Sequence, residues 1–214
     1  TAAVGFSFVA DVIAAENAWV RHDEAYARIK TALARLVELQ APAFGSRCVA
    51  LNQQGNRHGY TYHFVDNSGL RSFNNVEIST IDHALLTAGA LVAASYYRGT
   101  EVEVLAEQLF QNTQWNWLFN SSDNFFYQGW NEQCPSGGNY DGGNTLDSWN
   151  RYSELMILLF QAMSAGPSNG VGSIAWEAQA RGSSVMFPYE WADISPGNNP
   201  QNFAFLANMP NVSE

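Results

Sequence analysis

The stretch STIDHALLTAGALVAASYY, Ser79 to Tyr97, decides how the rest of the chain is read. From Ala84 to Tyr97 it carries no charge. A helix apolar around its whole circumference belongs in an interior, not on a surface. Ser79 with an acid three positions later is a helix start signal, and Gly99 is a stop signal. Asp82 has two readings. It completes the cap, favoured by the helix dipole, or it points into a cavity and does chemistry there.

Working outward, five more helices follow from periodicity. Residues 2–16 read as a mostly apolar helix. Residues 22–39 read as an amphipathic one, with Tyr26, Ile29, Leu33, Leu36 and Val37 on one face. A fourth starts at Thr100, where Glu103 completes a capping box. A fifth, about 146–164, is uncharged over LMILLFQAM, and a short sixth covers about 173–181. The order alternates apolar and amphipathic. Such alternation suits concentric rings of helices, the apolar ones inside, whereas a simple bundle makes every helix amphipathic. The expected architecture is all-α, of the (α/α)6-toroid type, with about half of the twelve helices present. Residues 1–214 would form a single, incomplete domain of that kind. Another chain or further residues would complete the ring.

Links from inner to outer helices are short, and links back are long, about 41–78 and 112–145. Both long loops should therefore sit on one rim. The first contains GYTYHFVDNSGLRSF, which reads as a β-hairpin turning at 66–69. Tyr62, His63 and Asp66 lie on it as candidate substrate-binding residues. The second gathers Trp115, Trp117, Tyr127 and Trp130 among Asn, Gln and Gly. Aromatic faces beside amide side chains suit sugar rings, which offer flat C–H surfaces and hydroxyls. The competing reading is that these rings pack a small core of their own. Tyr152, beside the fifth helix's acid, joins the candidates. Cys48 and Cys134 fall in the two loops, so a disulfide would tie them together, and two thiols are the alternative.

Composition narrows the partners. The net charge is -10, with Lys30 as the lone lysine. Such a surface repels phosphate backbones and anionic lipids, which argues against nucleic acid and against membrane insertion. Asn120-Ser121-Ser122 and Asn211-Val212-Ser213 fit the N-glycosylation acceptor pattern. With the even cysteine count, this leans towards a secreted, extracellular protein. No metal-ligand spacing, nucleophile elbow or phosphate loop is present, so neither metal nor cofactor is expected.

The remaining chemistry is carboxylate chemistry. Glu154 sits in DSWNRYSELMILLF, two turns into the expected fifth helix. It pairs with Arg151 in one reading. In the other, a carboxylate on an apolar inner helix is there for function. Glu77, Asp66, Glu132 and Asp141 are further rim acids, more simply read as solvated or bonded to turns.

Several segments resemble one family. GFSFVADVIAAE, EAYARIKTALARL, GYTYHFVDNSGLRS, EISTIDHALLTAGALVAASYY, TQWNWLF and RYSELMILLFQAM, in that order, are similar to the glycoamylase-like family. That family includes secreted endo-β-1,2-glucanases and a domain of cyclic β-1,2-glucan synthases. The resemblance implies an (α/α)6 toroid and inverting, metal-free hydrolysis of a β-glucan. By motif it implies Glu154 as general acid and Asp82 as base-side or substrate-positioning carboxylate. An inverting pair stands about 6.5–9.5 Å apart, or further with a relaying hydroxyl. Three departures stand out. His83 replaces a usual threonine, YSE at Tyr152–Glu154 replaces YNE, and the chain is short. The expected activity is thus glycoside hydrolysis on a polysaccharide or oligosaccharide. The alternative is a non-catalytic structural or glycan-binding protein on the same fold.

Overall fold

The computed structural model describes residues 1–40, 58–66, 76–132, 143–149 and 154–179. These residues are mostly helical, with two small antiparallel sheets. Helices α1 (Ala2–Glu16), α2 (His22–Leu39), α3 (Thr80–Tyr96) and α4 (Glu101–Gln111) fall where periodicity puts them. The start signals work locally, with a twist in each. Ser79 Oγ accepts from Asp82 N at 3.3 Å and donates to Asp82 Oδ2 at 2.5 Å. Thr100 accepts from Val102 N, while Glu103 reaches past it to Gly99 N at 2.6 Å.

The fifth helix differs from expectation. Helix α5 spans Leu155–Ser164, followed by one-turn helices α6 (Gly166–Asn169) and α7 (Ile174–Glu177). Residues 146–149 are extended instead. They continue from strand β5 (Gly143–Thr145), and Trp149 N donates to Phe126 O at 2.7 Å. Backbone pairing with the second long loop therefore overrides helix propensity there.

Helix α3 is central and packs against α1, α4 and α5. Helix α2 packs on α1 and α4. The apolar helices α1, α3 and α5 thus form one row, with α2 and α4 on its outer side. Phe8, Ile29, Leu33, Leu86, Ala90, Val102 and Leu109 fill the space between the rows. Gly5 and Gly89 set the α1–α3 distance. A Cβ on Gly89 would lie 2.1 Å from Gly5 O, and one on Gly5 would lie 2.4 Å from Leu85 O. Only a backbone-on-backbone approach fits there.

Helix α1 is not buried on all sides, as its composition suggests. Only Gly5 and Phe8 are buried, and Phe6 and Ile13 are 60% and 48% exposed. Its apolar character faces two ways, and among the described residues only the face towards α2 and α3 is covered. Val92 on α3 and Phe160 on α5 are exposed in the same manner.

The long loops do meet. Strand β1 (Ile78–Ser79), at the end of the first, pairs antiparallel with β4 (Gly129–Glu132) of the second, with Ile78 opposite Trp130. Strand β4 pairs in turn with β5. Strands β2 (Phe119–Asn120) and β3 (Phe125–Phe126) make a separate two-stranded hairpin. This inter-loop sheet is not foreseen by the single hairpin expected in the first loop. Residues 67–69 of that hairpin's expected turn lie outside the described residues. Its flanks approach through an isolated Tyr62–Ile78 bridge.

Candidate functional site

Three segments converge where α3 begins. Thr80 N donates to Gln128 O at 3.1 Å, and Thr80 Oγ1 lies 2.9 Å from both Tyr127 O and Gln128 O. Trp149 Nε1 donates to Thr80 Oγ1 at 3.0 Å. The segment leading into α5 is therefore tied to the first residue of α3. Helices α3 and α5 start near one another, beside the inter-loop sheet.

Asp82 lies two residues beyond this junction, largely but not fully buried. Its Oδ2 takes the Ser79 hydroxyl. The same oxygen lies 3.5 Å from His63 Nε2. On the other edge of that imidazole, Nδ1 lies 2.6 Å from Glu77 Oε1. An ionised carboxylate only accepts, so with Glu77 ionised Nδ1 is the donor of this pair. The side chains of His63, Glu77 and Asp82 remain 31%, 28% and 17% exposed, open enough for exchange with solvent. Phe64 stacks on the His63 ring at 4.0 Å. The backbone holds the cluster: His63 N donates to Glu77 O at 2.9 Å, and Thr1 N donates to His63 O at 2.8 Å.

The aromatic candidates divide. Trp115 and Tyr62 are core residues with no face on solvent. Trp115 Nε1 donates to Phe110 O, and its carbonyl accepts from Tyr60 Oη at 3.1 Å. The expectation that these two stack on substrate is corrected by their burial, the usual destination of large rings. Trp117, Tyr127 and Trp130 are partly exposed. Trp117 stacks on His58 at 4.3 Å and lies 5.6 Å from Trp130. A Cβ on Gly143 would lie 2.6 Å from the Trp130 indole, so the missing side chain lets β5 close over that ring.

Glu154 is also corrected. It is not inside a helix but at the N-cap of α5, and it is solvent-exposed. Arg151 and Tyr152 lie outside the described residues, as do Cys48, Cys134, Asp141 and Asn211. Asp66 is described and has an interaction of its own. Asn120 Oδ1 accepts from Ser122 N at 3.0 Å, so this asparagine shapes the β2–β3 turn whether or not it carries a glycan.

Sequence reasoning undervalued Glu77 and missed Trp149 as a neighbour of α3. Glu77 directly precedes Ile78, which an isolated bridge places opposite Tyr62. A hairpin register read across the whole loop could have paired it with His63.

His83, one residue beyond Asp82, points the other way. It is fully buried. Nε2 donates to Thr113 Oγ1 at 2.9 Å, which passes its own proton to Leu109 O at 3.0 Å. Nδ1 faces Thr61, with N at 3.3 Å and Oγ1 at 3.1 Å. Burial pushes its pKa down to about 3 and keeps it neutral. It is a structural pin between the first loop, α3 and the end of α4.

Among the described residues no cluster of His, Cys, Asp and Glu could hold a metal ion, and no helix is long and apolar enough to cross a membrane. No family model, curated protein or solved structure matches the chain.

Proposed function

We propose that this chain is a carbohydrate-active domain of the (α/α)-toroid type, acting on a β-glucan by inverting hydrolysis, with Asp82 as base-side carboxylate. The observation that carries the reading is the position of Asp82. A partly buried carboxylate stands at the start of the central helix, at the end where both long loops pair and where the Trp149 indole donates to Thr80 Oγ1. An acid with an aromatic ring close by is what glycoside chemistry uses. Glu154 is the proposed general acid on the strength of its motif and its place at the start of α5. A general acid works best where its neutral form is favoured, commonly by burial. Since Glu154 is exposed, bound substrate would have to cover it. A β-1,2 linkage, secretion and a glycan on Asn120 belong to the same proposal and rest on the sequence alone.

The test is to incubate the protein with soluble β-glucans, β-1,2-linked glucan among them, and follow new reducing ends and their anomeric form. Asp82→Asn should lower turnover by about a hundredfold or more. Turnover unchanged in that variant would remove Asp82 from the reaction. The exposure of Glu154 favours a second reading, a glycan-binding module without catalysis. Saturable binding of the same glucans with no new reducing ends would select it.

A further inference from the structure

We propose that His63 is the positioning and proton-storing partner of Asp82; this rests on the hydrolytic reading above. Glu77 fixes the imidazole as the Nδ1–H tautomer, because its carboxylate accepts from Nδ1 at 2.6 Å. In the neutral imidazole Nε2 then presents a lone pair to Asp82 Oδ2 at 3.5 Å. That separation is longer than a made hydrogen bond. A proton arriving between them turns repulsion into a charge-assisted bond and lets the gap close.

Inverting hydrolysis delivers such a proton. Water oxygen bonds to the anomeric carbon, and the glycosidic C–O pair leaves with the departing oxygen, which is protonated by the general acid. The attacking water loses its proton to Asp82. From Oδ2 it passes to Nε2, and the resulting imidazolium is balanced by Glu77 on its far edge. His63 is partly exposed, so the proton then leaves to solvent. The groups facing the imidazole are Glu77 beside β1, Asp82 on α3 and the Phe64 ring on its face. A histidine kept only for packing on Phe64 would need neither carboxylate.

Two arms test this on the full chain. In kinetics on the hydrolysed glucan, His63→Ala and His63→Gln should both lose kcat roughly tenfold or more with KM little changed. Gln keeps a donor towards Asp82 but cannot take up a proton. Added imidazole should restore part of the kcat of His63→Ala. Full activity in either variant, or recovery by Gln alone, would overturn the inference while leaving the hydrolytic reading intact. Absence of turnover in wild type would remove both. Independently of turnover, 15N-histidine spectra at neutral pH should show His63, assigned by its loss in His63→Gln, with Nδ1 protonated. Glu77→Leu should release it towards the Nε2–H form. A wild-type imidazole with Nε2–H and bare Nδ1 would refute the proposal.

Discussion

His63 and His83 flank the same carboxylate-bearing turn, yet their surroundings make them opposites. His83 is buried and bonded to the hydroxyls of Thr61, Thr113 and Thr87, with no charged partner among the described residues. His63 lies between two carboxylates with part of its edge in water. The comparison teaches that solvation and partner type, not residue identity, divide structure from chemistry here. A neutral imidazole satisfied by hydroxyls is a tie between segments. One placed between acids can exchange protons.

The largest expected effect falls on the buried member. His83→Ala leaves a cavity and strips the Thr61 and Thr113 groups of their partner. It should cost about 3–5 kcal/mol in urea unfolding, against less than about 1 kcal/mol for His63→Ala. Equal costs would break the comparison.

Gly89→Ala comes next. The added Cβ would meet Gly5 O at 2.1 Å, and backbone cannot step aside as a side chain can. A loss of about 3 kcal/mol is expected, with a lower midpoint in thermal unfolding as the readout.

The pH dependence sharpens the contrast further. Burial lowers the His83 pKa from 6.5 to about 3. As pH falls through 6.5 the unfolded chain gains a proton on this residue that the folded chain does not. Stability therefore falls on acidification between these two values, by about 1.4 kcal/mol per pH unit from this group. Urea midpoints at pH 7 and pH 5 should show a steeper dependence in wild type than in His83→Gln. The smallest effect is Ser79→Ala, about 1 kcal/mol for the lost cap, again read from urea unfolding.

The helices were legible because periodicity reports a face, and α3 and α4 have plain start signals. Whether a face is covered was not legible. Composition alone put α1 in an interior, while Phe6 and Ile13 face outward. Leu146–Trp149 looked like the beginning of a helix, but their backbone groups find partners on β4 and Phe126, a non-local pairing that local propensity does not encode. At the site, the capping turn around Asp82 followed from spacing. The Glu77–His63 contact depended on a strand register that the loop's length concealed. Trp115 and Trp117, two positions apart, were indistinguishable in sequence, and only packing sent one ring to the core and the other to the rim.

The pairing of Ile78 with Trp130 has a kinetic consequence. Its partners are far apart in the chain, so closing it costs loop entropy that helix pairs such as α3–α4 do not meet. The α3–α4 pair should form before this sheet closes. Amide exchange in β1 and β4 would then outpace that in the middle of α3, and the end bearing Asp82 would be the first part of the molecule to open under stress.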